Sequence, residues 1–102
     1  RIHPDVKHVF HLYVIRTDKR NQLQEQLKEN GISTGIHYPT PLPFLKAYDY
    51  LGYKLEEFPH AAAYQSEILS LPIYPEMTTE QSEFLCNKVR VFFNWNVKYK
   101  LN

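Results

Sequence analysis

Residues 8–17 read HVFHLYVIRT, and the architecture turns on how this stretch and its sequel are taken. It is rich in β-branched and aromatic residues and has the length of a strand. The even positions are His8, Phe10, Leu12, Val14 and Arg16; the odd ones are Val9, His11, Tyr13 and Ile15, so neither face is cleanly polar. A strand apolar on both sides is ordinarily covered on both sides. With 102 residues there are few elements to form a second layer, so one face is expected to meet another domain. Asp18 then stands where a helix N-cap belongs. Leu23 and Leu27 form an i, i+4 apolar pair, and Gly31 is a C-terminal stop signal. Residues 32–38 (ISTGIHY) predict a second strand, with Ile32, Thr34, Ile36 and Tyr38 on one face and Ser33, Gly35 and His37 on the other.

Beyond this strand–helix–strand opening, Pro39, Pro41 and Pro43 fix φ three times within five residues and impose a stiff, extended loop. A short helix is expected over 44–51, stopped by Gly52. After Phe58-Pro59 a longer one is expected to reach Leu69, with Ala61, Ala62, Ile68 and Leu69 inward. Residues 70–75 (SLPIYP) read as an edge strand, because Pro72 lacks a ladder donor. Thr78 and Gln81 have capping-box spacing for a last helix, with Phe84, Leu85, Val89 and Phe92 inward and a last turn near Phe93. The chain therefore reads as one α/β domain over 1–102. Its core covers about 8–93 and its tail 94–102, and its architecture is a two-layer sandwich of a small mixed sheet with helices.

Composition narrows the function. A hydrophobic fraction of 43% with 23% charged residues belongs to a globular chain rather than a disordered one. The formal net charge is +1, and most basic residues have acidic neighbours, so no nucleic-acid surface is expected. The exceptions, Lys88, Arg90, Lys98 and Lys100, read as a solvated end. Cys86 is the single cysteine, which precludes an internal disulfide and fits a reducing, cytoplasmic compartment. No stretch approaches the ~18–20 apolar residues of a membrane span, and no signal-peptide pattern opens the chain. It starts at Arg1 without an initiator Met, as expected of a piece of a longer or processed protein.

Few residues offer chemistry of their own. The histidines stand at 3, 8, 11, 37 and 60. His8 and His11 have ligand spacing for a helix but fall on a predicted strand, where i and i+3 point to opposite faces; no metal site is expected. Cys86 reads as a packing residue of the last helix, and three glycines cannot make a phosphate loop. The cluster that remains is Gly35-Ile36-His37-Tyr38-Pro39. It sets a titratable ring and a phenol at a strand end beside the stiff loop, either as a site wall or as an ordinary strand terminus.

Taken in order, HVFHLYVIRT, GISTGIHYPTPLPFLKAY, the LGY and EFPHA pieces, and ILSLPIYPEMT leading into EQ resemble the C-terminal part of the DegT/DnrJ/EryC1/StrS family of sugar aminotransferases. The GIHYP and LSLPIYPEMT segments are the specific ones. The resemblance implies the small domain of a fold-type-I enzyme that uses pyridoxal 5'-phosphate (PLP), works as a homodimer, and passes an amino group from glutamate to a keto group on a nucleotide-linked sugar. Such enzymes make amino sugars for surface polysaccharides or secondary metabolites. The lysine that forms the Schiff base with PLP belongs to the large N-terminal domain, and no lysine here sits in a matching context. The fragment is therefore expected to bind no PLP and to hold no catalytic residue. The family's His-Tyr pair falls on His37 and Tyr38, near cofactor and sugar nucleotide. Relatives often carry a further histidine after the proline-rich turn, where this chain has Leu42-Pro43-Phe44-Leu45. The competing expectation is a free-standing small-molecule-binding or regulatory α/β domain without catalysis.

Overall fold

The computed structural model describes residues 2–98. Five elements carry the fold: strand β1 (Tyr13–Arg16), helix α1 (Arg20–Glu29), helix α2 (Pro59–Tyr64), strand β2 (Ile68–Leu71) and helix α3 (Thr79–Lys98). Between α1 and α2 the chain makes three short 3-10 segments, Leu42–Phe44, Lys46–Leu51 and Leu55–Glu57.

The α/β class holds, and matching solved structures share it. The sheet is nevertheless antiparallel wherever it is described, not mixed. β1 pairs with β2 in the register Tyr13–Leu71, Val14–Ser70, Ile15–Leu69 and Arg16–Ile68. On the other side of β2, Gly35 and Ser70 exchange both backbone hydrogen bonds, at 2.7 and 3.0 Å. β2 thus lies between β1 and the Gly35 segment. The strand–helix–strand opening is split, with its two extended pieces parallel to each other but never paired.

Several expected boundaries shift, each for a local reason. Residues 8–12 do not continue β1: Phe10 adopts φ 50, and its N–H donates to His8 Nδ1 at 2.8 Å, turning the chain away from the sheet. Asp18 does not cap α1. The cap position is Lys19, whose N–H donates to Thr17 Oγ1 at 3.1 Å, so the Asp18 carboxylate stands one residue too early. Residues 32–38 contribute one bridge instead of a full strand. Residues 44–51 wind as 3-10 turns instead of an α-helix. α2 ends at Tyr64, five residues short of Leu69, because Ile68 and Leu69 are taken by the ladder to β1. The expected edge strand at 70–75 is shifted to Ile68–Leu71 and becomes central; Pro72 follows its last residue. α3 passes Phe93 and runs to Lys98, into the expected tail. Residues 99–102 of that tail lie outside the described residues.

The core lies on one face of the sheet, where Leu23, Leu27, Ile32, Leu69 and Leu85 are buried together. Ile15, Ile36, Leu71, Met77, Val89 and Phe92 pack around them. The i, i+4 pair of α1 is thus fully used. On α3, Leu85 turns inward, whereas Phe84, expected inward, is 47% exposed and lies under the Lys88 ammonium at 5.1 Å. One turn of helix separates a core position from a surface one by a single residue.

Two of the helix-end signals, Gly31 and the Thr78–Gln81 pair, work as the residue types require. Gly31 takes φ 74, its N–H donates to the Lys28 carbonyl at 2.9 Å, and Ile32 N–H donates to the Leu27 carbonyl at 2.9 Å. This is a Schellman closure, and it delivers Ile32 onto Leu27 in the core. Gly31→Ala is expected to lower stability by about 1–2 kcal/mol, since a Cβ is strained in left-handed backbone. Urea denaturation measures it, and an unchanged midpoint would contradict the assignment. At α3, Gln81 N–H donates to Thr78 Oγ1 at 3.2 Å and Thr78 N–H donates to Gln81 Oε1 at 2.9 Å, completing the capping box. Its own backbone N–H and the Thr78 hydroxyl hold the Glu80 carboxyl below its ordinary value. That contribution is present at neutral pH and fades as pH falls through the lowered pKa.

Candidate functional site

Side-chain alternation sends Tyr13, Ile15, Leu69 and Leu71 toward the helices and leaves Val14, Arg16, Ile68 and Ser70 on the opposite face of the sheet. The sequence-predicted pair His37 and Tyr38 stands on this second face. The two residues are joined by a cis peptide bond, and their rings meet edge to face at 5.5 Å between centroids. His37 Nδ1 lies 2.9 Å from Ser70 Oγ. Ser70 is only 4% exposed, the buried polar residue of an otherwise apolar strand. Tyr38 is 72% exposed.

A cavity of about 570 Å³ opens beside Tyr38, and His37 precedes it in the chain without lining the cavity. Tyr38, Pro39 and Pro41 of the proline-rich loop line it together with Leu45, Ala61, Tyr64 and Ile68. The stiff loop read from three prolines is therefore a cavity wall. The lining is apolar except for the Tyr38 and Tyr64 phenols, Thr40 and Gln65. Such a surface can receive a ring or an aliphatic body and orient it with a few polar groups. Farther along the face, Arg16 Nε and Nη2 both donate to Glu67 Oε2, at 2.9 and 2.7 Å, while the guanidinium lies 3.9 Å from the Tyr64 ring centroid. Arg16 thereby braces the Tyr64 wall with its charge already paired.

Reading residue types singled out His37 and Tyr38 but missed Ser70 and the Arg16–Glu67–Tyr64 group. A serine inside ILSLP was the available signal; its partner could not be read, because His37 and Ser70 are 33 positions apart. The other histidines do not join them. His8 Nδ1 accepts the Phe10 N–H, His3 Nδ1 accepts the Asp5 N–H, and His60 lies against the Tyr64 ring. Among the described residues no three His, Cys, Asp or Glu side chains gather as metal ligands.

These residues do not by themselves fit PLP. Its phosphate calls for a cradle of backbone N–H groups or a cation, and its aldehyde for a lysine. No lysine or arginine lines the cavity beside Tyr38. Gly31 and Gly52 close helical turns, and Gly35 sits in the sheet.

Comparison with known proteins places this geometry. The chain is 44% identical over 86 residues to the "Pleiotropic regulatory protein" of Geobacillus stearothermophilus, covering 84% of this chain and 23% of that protein. It is 43% identical over 79 residues to the dTDP-3-amino-3,6-dideoxy-alpha-D-galactopyranose transaminase of Aneurinibacillus thermoaerophilus, covering 78% and 21%. The fold superposes on S. venezuelae DesV, solved in complex with a ketimine intermediate, with a TM-score of 0.80 at 33% identity, covering 88% of this chain and 24% of that one. The chain thus spans about a quarter of the length of the relatives it matches. The model of the DegT/DnrJ/EryC1/StrS aminotransferase family matches residues 1–90, from ahead of β1 into α3. Its match takes in both the GIHYP strand end and the LSLPIYPEMT segment, and the chain belongs to that family.

Proposed function

We propose that this chain is the C-terminal domain of a PLP-dependent transaminase that moves an amino group from an amino acid, with glutamate as donor, to a keto group on a nucleotide-linked sugar. The observation that carries the reading is the place of His37 and Tyr38 on the face of the sheet that α1 and α3 leave open, His37 held by Ser70 and Tyr38 lining a cavity of about 570 Å³. An aminotransferase family and a relative named as a dTDP-amino-sugar transaminase supply the chemistry. In this reading His37 and Tyr38 form one wall of the substrate cleft. The Schiff-base lysine and the phosphate contacts come from a large N-terminal domain, the whole working as a cytoplasmic homodimer. The products serve surface polysaccharides or secondary metabolites.

The test compares two polypeptides. The chain alone, mixed with PLP, is expected to give no aldimine absorbance band that borohydride fixes on one lysine. The full-length protein is expected to give that band and to aminate a nucleotide-linked keto sugar. A single modified lysine within this chain, or a full-length protein that binds no PLP, would overturn the proposal and favour a free-standing binding domain.

The same reading assigns a role to exposed apolar residues near the first strand. Val9 is 84% exposed, and Phe10 and Val14 are each more than 40% exposed. An apolar surface of this kind marks a docking site, here for the large domain. The chain alone is expected to enhance the fluorescence of a hydrophobic dye, and Val9→Ser with Val14→Ser to reduce that signal. A dye-silent chain would contradict the docking role.

A further inference from the structure

We infer that Ser70 is a positioning residue that holds His37 as the Nε2–H tautomer, so that the imidazole meets an oxygen of its ligand as a hydrogen-bond donor and not as a base. The inference deepens the reading of His37 as a cleft-wall residue and rests on it for its functional half. Both backbone polar groups of Ser70 are occupied by Gly35, and its side chain is buried. Its hydroxyl makes one hydrogen bond among the described residues, to His37 Nδ1 at 2.9 Å. Two proton arrangements are open to that contact. If Nδ1–H donated to Ser70 Oγ, the hydroxyl proton would be left without an acceptor inside a buried strand, a costly state. If the hydroxyl donates to Nδ1, the buried hydroxyl and Nδ1 are both satisfied and the ring proton resides on Nε2.

Gly35 supports the same geometry independently. A Cβ placed there would stand 2.7 Å from His37 Cε1, closer than real Cβ contacts allow. The ring reaches Ser70 only because residue 35 has no side chain. Ser70 and Gly35, paired to each other through the backbone, thus form one seat for the imidazole. The ligand atom suited to an Nε2–H donor is an anionic or carbonyl oxygen, as on a phosphate, a carboxylate or a keto sugar.

The test is the ring itself. In the 102-residue chain labelled with ¹⁵N-histidine, at a pH where imidazole is neutral, long-range ¹H–¹⁵N spectra are expected to show His37 protonated at Nε2 with Nδ1 accepting a hydrogen bond. His37→Gln identifies the signals. Ser70→Ala and Gly35→Ala are expected to move Nδ1 to the position of a solvent-exposed ring, and Ser70→Thr to keep it in place. A wild-type ring protonated at Nδ1, which needs no variant to detect, overturns the inference, as does a Ser70→Ala spectrum identical to wild type. In the full-length transaminase, Ser70→Ala is expected to lower turnover about tenfold and Ser70→Thr to restore it. If the ring behaves as expected while His37→Ala turns over normally, the cleft-wall reading falls instead.

Discussion

On the proposed function, His37→Ala in the full-length protein is expected to cut turnover of a nucleotide-linked keto sugar about ten- to hundred-fold while barely moving the melting transition. The magnitude follows from the bond at stake. A hydrogen bond to a charged or polarised oxygen contributes about 1.5–3 kcal/mol, which becomes that factor in rate if the bond acts in the transition state. The small effect on folding follows from where the ring lies. His37 is exposed, on the sheet face opposite the buried cluster of Leu23, Leu27, Ile32, Leu69 and Leu85. Its one side-chain bond, to Ser70, has water as a substitute once the ring is gone and the strand is opened at that point. Tyr38→Phe is the companion variant, keeping the ring at the cavity wall and removing only the hydroxyl. Steady-state kinetics on protein shown to be folded decide the matter. A His37→Ala enzyme that melts early yet turns over normally would mark the histidine as structural and end the cleft-wall assignment.

Leu69→Ala is expected to produce the opposite pattern, a large loss of stability. Leu69 is 0% exposed, pairs with Ile15 in the ladder, and fills the space between the sheet and the two long helices. Truncating a fully buried leucine costs about 2–5 kcal/mol, because the lost transfer energy is joined by a cavity that relaxes only partly. A domain of this size has about 5–15 kcal/mol in total, so the variant is expected to lose a large share of its stability and to unfold at a clearly lower denaturant concentration. Phe84→Ala is the control. The ring is larger, but it is nearly half exposed and lies outside the core cluster, so a cost under about 1.5 kcal/mol is expected from its partial burial. Denaturation midpoints of the two variants check the ranking. Equal losses would mean that α3 presents a different face to the sheet.

The ranking of Leu69 over Phe84 also measures how far residue patterns carry. The Schellman closure at Gly31 and the capping box at Thr78 and Gln81 were legible directly, because each is decided by side chains within a few positions of one another. The i, i+4 pair Leu23 and Leu27 was legible for the same reason. Resemblance in the GIHYP and LSLPIYPEMT segments identified the family, which the match over residues 1–90 bears out. Residue types mark His37 and Tyr38 within the cluster at 35–39, and the family's His-Tyr pair falls on the same two residues.

What needed the tertiary structure involves residues far apart in the chain. Leu69 looked like the end of a helix, and local propensity permits that; it became strand because pairing with Ile15 and burial of its side chain outweigh a weak helical preference. β2 entered the middle of the sheet instead of its edge, splitting the opening strand–helix–strand unit, an outcome set by which strand buries most on insertion and invisible to any local window. Ser70 became part of the candidate site through a hydrogen bond across 33 positions. Periodicity and capping report interactions within about one helical turn, and here they settled the Gly31 closure, the Thr78–Gln81 cap and the inward pair of α1. Register, sheet order and the seat of the His37 ring depend on contacts that exist only after the chain has closed on itself, and the fold alone decided them.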